Sequence, residues 1–235
     1  MKTILLKLSG ELLAQDKADT SLLHPELIND LMKQIKELHK TYHFGVVVGG
    51  GNFFRGSKEG KVLSITRQTA DQVGMLATVM NGLILHDYFV KHEIPVVLTT
   101  ARHMPHVGTA LNQHVIEQAK ATHQCIIFAG GTGDPFLTTD TTAIMRSLQM
   151  GADEVWKATK VDYIYNENPT LHPDAKPLIR ISYQQALEQR LEFMDLTATA
   201  LAATYGITVR VFNFATPHAL LKVAQNPEFG STVTK

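Results

Sequence analysis

Only one cysteine, Cys125, occurs among 235 residues, so no intramolecular disulfide can form. Its setting, Cys125-Ile126-Ile127-Phe128, is apolar, which predicts a buried and inert thiol. Net charge is equally lacking. Lysine plus arginine (22) balances aspartate plus glutamate (22), which argues against a chain that binds nucleic acid or a membrane surface through a global field. No run of 18 apolar residues spans a bilayer. The opening Met1-Lys2-Thr3-Ile4-Leu5-Leu6 begins like a signal peptide, but Lys7, Ser9 and Glu11 interrupt it before an apolar h-region is complete. A reducing cytoplasmic setting is expected, with neither nucleic acid nor membrane as partner.

The common nucleotide and metal signatures are missing too. No Gly-x-x-x-x-Gly-Lys-Ser/Thr run is present, and no Gly-x-Gly-x-x-Gly run follows a strand, which argues against the usual NTPase loop and a dinucleotide-binding dehydrogenase. Ser/His/Asp hydrolase chemistry lacks its nucleophile elbow. His39 and His43, with Lys36 and Lys40 beside them, read as a solvated helix end rather than a metal site. His103 and His106 flank Pro105 in a loop without metal-ligand spacing, so no protein-built metal site is expected.

What is present is alternation. Hydrophobic residues make up 44% and charged residues 19%, a compact globular profile. Short β-branched runs at 4–8, 45–48, 95–99, 125–129, 154–157 and 208–213 alternate with segments of helical period. Leu27, Ile28, Leu31, Ile35 and Leu38 form one stripe, with Pro25 in the first turn. A long helix is predicted over about 68–92, with Val73, Leu76, Val79, Met80, Leu83 and Ile84 inward. Further helices are predicted at 141–150, 183–189, 195–205 and 217–225. The stretch 161–181, with Pro169, Pro173 and Pro177, reads as a loop holding at most a short hairpin. The pattern implies an α/β fold, with a mostly parallel sheet covered on both faces and one domain over 1–235.

Three glycine sites follow strands. Lys7-Leu8-Ser9-Gly10-Glu11 sets a mobile point charge beside a turn. Val48-Gly49-Gly50-Gly51-Asn52-Phe53-Phe54-Arg55-Gly56 joins bare main-chain amides to a planar cation, a pairing suited to phosphate oxygens. The third, Ala129-Gly130-Gly131-Thr132-Gly133-Asp134-Pro135-Phe136-Leu137-Thr138-Thr139-Asp140, makes a shaped loop rich in small donors, with Asp140 placed to cap the next helix. Each also has a plain reading: a solvated lysine, a tight turn, a capped helix. Together they suggest an enzyme that handles phosphate.

These residues resemble one family closely, the bacterial-type uridylate (UMP) kinases of the amino-acid-kinase superfamily. Besides the three sites, the likeness runs through Asp71-Gln72-Val73-Gly74-Met75, Lys157-Ala158-Thr159-Lys160-Val161-Asp162, Met194-Asp195 and Arg210-Val211-Phe212-Asn213. The resemblance implies a three-layer α/β/α sandwich assembled as a homohexamer. It implies transfer of the γ-phosphoryl group of ATP to UMP with Mg2+, giving UDP for pyrimidine nucleotide biosynthesis, with UTP as an inhibitor. By the same resemblance Lys7, Leu8, Ser9 and Gly10 meet ATP phosphates, while Gly51 and Arg55 sit where the two phosphate chains approach. Thr159, Tyr165 and Asn168 line the ATP base and ribose. Gly50, Asp71, Thr132, Gly133, Asp134, Pro135, Phe136, Leu137, Thr138 and Thr139 hold UMP. Lys7, Arg55 and Lys157 or Lys160 neutralise charge in transfer, and Asp140 orients the lysines. The N-terminal part then binds mainly UMP and the C-terminal part mainly ATP.

Two departures stand out. Tyr163 replaces the family's glycine and Asn168 its aspartate. The segment 12–20 also lacks the glycines that many relatives carry there in connection with GTP regulation. The stretch 102–124 fits the family poorly and is assigned only an intersubunit or effector surface. Two alternatives remain at this point: a sibling kinase with an acyl acceptor, and a non-catalytic nucleotide binder of the same fold.

Overall fold

The computed structural model describes residues 1–14, 23–169, 171–172 and 174–235. Residues 15–20 of the glycine-free segment, and Pro173, therefore lie outside the described residues. In chain order the elements are β1 (Lys2–Leu8), α1 (Pro25–Leu38), β2 (Tyr42–Val48), α2 (Gly56–Val62), α3 (Arg67–Lys91), β3 (Val96–Thr100), β4 (Thr109–Ala110), α4 (Gln113–Ala121), β5 (Cys125–Ala129) and α5 (Thr139–Met150). There follow β6 (Glu154–Thr159), β7 (Ile164–Tyr165), β8 (Pro177–Leu178), β9 (Arg180–Ser182), α6 (Tyr183–Glu188), α7 (Leu196–Tyr205), β10 (Thr208–Asn213), α8 (Ala219–Gln225) and β11 (Ser231–Thr234). All six strand runs read from the sequence are strands. The short ones, β4, β7, β8, β9 and β11, are too brief to carry a period.

Nine strands form one sheet in the order β4-β3-β5-β2-β1-β6-β10-β11-β9, parallel throughout except for the β10–β11 pair. β1 lies at its centre between β2 and β6. Side-chain alternation sorts its residues between two cores. Ile4, Leu6 and Leu8 join α1, α3 and α8 on one face; Leu5 joins α4, α5, α6 and α7 on the other. The molecule is therefore a three-layer α/β/α sandwich. After β1 and β2 the chain builds β3, β4 and β5 on one side, then crosses to β6 and β10 on the other. The reversal leaves a crevice at the carboxyl ends of the central strands, where open α/β sheets bind ligands.

α3 departs from the expected stripe. Leu76, Met80 and Leu83 are exposed, and the buried face is Ala70, Ala77, Thr78, Val79, Asn81, Gly82, Leu85 and Phe89. Small residues bring this helix close to the sheet. A Cβ on Gly82 would stand 3.0 Å from the Ala129 Cβ. Val79 is buried as expected and Val73 and Ile84 partly so, but hydrophobicity misplaced Leu76, Met80 and Leu83, because close approach favours small side chains over large ones. α3 is also the one described helix long and apolar enough to cross a membrane by length and composition, and it packs on β3 and β5.

The His39–His43 end is not solvated as expected. His39 is 8% and His43 4% exposed, because β2 starts soon after α1 and brings both rings against His123, in the turn that follows α4. His39 stacks on His123 at 4.0 Å between centroids, and Cys125 Sγ lies 3.5 Å from His39 Nδ1. Asp140 does not cap α5. Thr138 does, its hydroxyl accepting from the Asp140 and Thr141 N–H groups, so the Asp140 side chain is released for other work.

Candidate functional site

Three elements converge on one carboxylate. Lys7 and Lys157 are register partners on β1 and β6, and both lie on the face that packs against α5. Two like charges in such positions repel. Asp140, in the first turn of α5, comes between them: Lys7 Nζ is 2.9 Å from its Oδ1 and Lys157 Nζ 2.7 Å from its Oδ2. Lys157 donates a hydrogen bond to Oδ2, and Lys7 forms an ion pair with Oδ1. Lys157 also donates to the Phe193 carbonyl.

Burial works against ionising Asp140 and is the largest single influence on it. The charges of Lys7 and Lys157 nevertheless outweigh burial and hold its carboxyl below the ordinary range. Burial likewise depresses Lys157, and Lys7 adds repulsion that Asp140 only partly offsets. Two lysines, both 8% exposed, share the Asp140 carboxylate, and Asp195 adds a more distant negative charge that favours the Lys157 cation. An arriving polyanion completes this arrangement.

A cavity of about 370 Å3 opens on one side of the cluster, lined by Gly50, Gly51, Arg55, Asp71, Thr132, Asp134, Leu137, Thr138 and Thr139 among others. Its floor needs glycine. A Cβ on Gly50 would meet the Ala77 Cβ at 2.7 Å and the Gly74 carbonyl at 2.8 Å. Gly133, Pro135 and Phe136 belong to the same loop but are not part of the cavity wall. Phe136 has φ 70°, a left-handed conformation rare for an aromatic residue. It is 64% exposed, and its N–H donates to Asp71 Oδ2 at 2.9 Å. Asp71 also accepts from Arg67 at 2.8 Å.

A second cavity, of about 540 Å3, is lined by Lys157, Thr159, Tyr163, Tyr165, Asn168 and Phe193 among others. Tyr163 and Tyr165 meet edge to face at 6.4 Å between centroids. β7 and β8 pair antiparallel, so the proline-rich stretch does contain a short hairpin, and β7 supplies Tyr165 to the wall. The charged cluster thus joins the two cavities. Asp140 follows the first cavity's Thr139 and grips the second cavity's Lys157.

The other named residues are distributed as follows. The Leu8 side chain is in the core, and its carbonyl accepts from the Gly49 N–H at 2.9 Å. Ser9 precedes a single 3-10 turn, Gly10–Leu12. Gly10 touches the next loop, since a Cβ there would stand 2.6 Å from the Gly49 carbonyl. Lys160 is exposed beyond the end of β6 and borders neither cavity. Sequence reasoning missed three partners. Glu11 holds Arg55 by an ion pair. Asp195 caps α7 while accepting from the Thr138 and Thr141 hydroxyls. Asn81 ties Asn52 to the Gly49 carbonyl. Asp195 was itself quoted in the likeness, with Met194, but without a role, and nothing in the sequence pointed to the threonines it meets.

Comparison with known proteins agrees with this geometry. Residues 2–213 match the model of the amino acid kinase family. The uridylate kinase of Haemophilus influenzae (strain PittEE) is 40% identical over 99% of this chain and 97% of its own length. The chain belongs to the uridylate kinases of the amino acid kinase family. The uridylate kinase of Thermotoga maritima is 41% identical over 98% of each chain. Among solved structures, the UMP kinase of Ureaplasma parvum superposes with a TM-score of 0.95 at 33% identity, covering 100% of this chain and 99% of that one. The family member from Archaeoglobus fulgidus, also a uridylate kinase, gives 0.76 at 26% identity, with full coverage of both chains.

Proposed function

We propose that this uridylate kinase family member transfers the γ-phosphoryl group of ATP to UMP, giving UDP and ADP. The observation that carries the reading is the Lys7–Asp140–Lys157 cluster between two cavities, in a chain 40% identical to named uridylate kinases. UMP occupies the smaller cavity, with Asp71 beside its ribose and the 132–139 loop around its base and phosphate. ATP occupies the larger one, with Thr159, Tyr165 and Asn168 about its nucleoside. One domain serves both substrates, its N-terminal part chiefly UMP and its C-terminal part chiefly ATP.

Phosphoryl transfer asks little covalent work of a protein; alignment and charge neutralisation supply most of the rate. The acceptor oxygen of UMP is already nucleophilic, so no general base is required. Lys7, Lys157 and Arg55 offset the repulsion between the two phosphate chains, and Asp140 fixes the lysines in place. Lys160, exposed as it is, has at most an outer contact with ATP.

A divalent metal, Mg2+ in this reading, fits the donor set only as a companion of the nucleotide. Asp140 is engaged by two lysines, and no group of three metal-binding side chains exists among the described residues. Carried by the ATP phosphates, it supplies further neutralisation.

The protomer assembles as a homohexamer, and the exposed apolar face of α3 (Leu76, Met80, Leu83, Val90) supports this. UTP inhibits, and the enzyme works in the cytoplasm. A coupled assay with UMP, CMP and N-acetylglutamate tests the central reading. Turnover with UMP alone is expected; turnover only with N-acetylglutamate, or with none, overturns it. Sedimentation and UTP titration test the assembly and the inhibition.

A further inference from the structure

Arg146 is a buried cation with no carboxylate against it among the described residues. It lies in α5, 4% exposed, and donates to the Gly131 carbonyl at 2.9 Å and to Gln149 Oε1 at 2.7 Å; its Nε has no partner among the described residues. Burying a guanidinium without a counter-ion is costly, and core packing alone does not call for one. One of its two bonds leaves its own helix and goes to the acceptor loop.

A second arginine reaches the same loop from another direction. Arg102, exposed after β3, donates from Nε to the Gly133 carbonyl at 2.7 Å. Between these anchors Gly130, Gly131 and Gly133 all have positive φ, which only glycine adopts at little cost. The Gly130 carbonyl is taken by the Gly133 N–H at 3.1 Å, and the Gly130 N–H donates to Thr78 Oγ1 at 2.9 Å. In a trans peptide, C=O and N–H point in opposite directions. Drawing the Gly131 carbonyl toward Arg146 therefore turns the Thr132 N–H the other way. Thr132 lines the smaller cavity and Arg146 does not.

We infer that Arg146 and Arg102 are positioning residues for the acceptor: they hold the Gly131 and Gly133 carbonyls back, so that the turn keeps its shape and offers the Thr132 N–H to UMP, the Gly133 and Asp134 N–H groups being taken within the loop by the Gly130 carbonyl and the Thr132 hydroxyl. This rests on the UMP kinase reading and adds the device that sets the polarity of its acceptor loop. The guanidiniums never touch the substrate. They act through main-chain orientation, so their effect falls on the acceptor and spares the donor.

The test is steady-state kinetics on Arg146→Met, Arg146→Lys and Arg102→Ala, with UMP and ATP varied separately and UMP binding followed by calorimetry. Arg146→Met is expected to raise KM for UMP tenfold or more with KM for ATP within twofold. Arg146→Lys recovers part of the loss, since one donor is restored. Arg102→Ala, at an exposed site, shifts KM for UMP several-fold in the same selective way, and it decides the matter if Arg146→Met does not fold. Unchanged KM for UMP, or equal rises in both constants, overturns the inference alone. A wild-type chain that neither binds nor phosphorylates UMP overturns it together with the functional reading.

Discussion

The two ends of the central strands each bury a polar cluster, and they handle charge in opposite ways. At the carboxyl end, two lysines, Lys7 and Lys157, are held by pairing with one carboxylate, Asp140. At the amino end, His39, His43 and Cys125 escape the cost of burial by staying neutral. Burial pushes His43 down to about 4, helped by Lys120 and the neighbouring imidazoles, and lowers His39 as well. It pushes the Cys125 thiol up to about 12. Protein interiors accept polar groups by either route. Only the ionised one prepares a site for phosphate.

The largest break in this contrast comes from the paired end. Lys7→Ala is expected to lower kcat with UMP about a hundred- to thousand-fold, roughly 3–4 kcal/mol of transition-state stabilisation. A rate near that of the wild type would remove Lys7 from the mechanism. Asp140→Asn leaves two buried lysines facing each other and should destabilise the fold by about 3–5 kcal/mol in urea unfolding.

The neutral end sets the response to acid. His43 has its folded pKa below the unfolded value of 6.5, so its contribution is present above 6.5 and is lost as pH falls toward about 4. That window is worth roughly 3 kcal/mol, from a shift of two to three units. Asp140 is also depressed, but from 3.8, so its contribution is lost only at lower pH. Unfolding midpoints measured between pH 7 and 4 should fall, and His43→Leu should flatten that slope. An unchanged slope would mean that the imidazole takes up its proton without opening the fold.

Gly10→Ala sharpens the contrast from the loop side. The added Cβ meets the Gly49 carbonyl at 2.6 Å, backbone that cannot swing away, and should cost about 1–3 kcal/mol together with activity. The smallest effect belongs to Cys125. The native thiol should remain unmodified by a thiol reagent at pH 8 and react only after denaturation; labelling of the folded protein would show that the amino end opens.

Much of this was legible beforehand. Six strand runs and the alternation of elements predicted the sandwich, because buried parallel strands need continuous apolar stretches. The three glycine loops drew attention to the carboxyl ends, because close approach and positive φ leave few alternatives to glycine. Other features were not legible. The inward face of α3 was misread in part because its contact is made by small residues. His39 and His43 passed for solvated because their cover, His123 in the turn after α4, is about eighty residues away in sequence. Asp140 was given two roles, a cap and a partner of the lysines; it pairs with the lysines, and the capping half was misread because Thr138, two residues earlier, had equal claim to it.

Local chemistry, then, determined which segments are strands and helices and where the backbone could turn tightly, and it pointed to the glycine loops as candidates for phosphate. Pairings across the fold had to wait for tertiary structure. Lys7 with Lys157, Asp140 between them, Arg146 beneath Gly131 and Asp195 under Thr138 join residues far apart in the chain. Sequence periodicity reports which way a side chain faces within its own element, whereas these contacts depend on the register between neighbouring strands and on the seat of α5 above them.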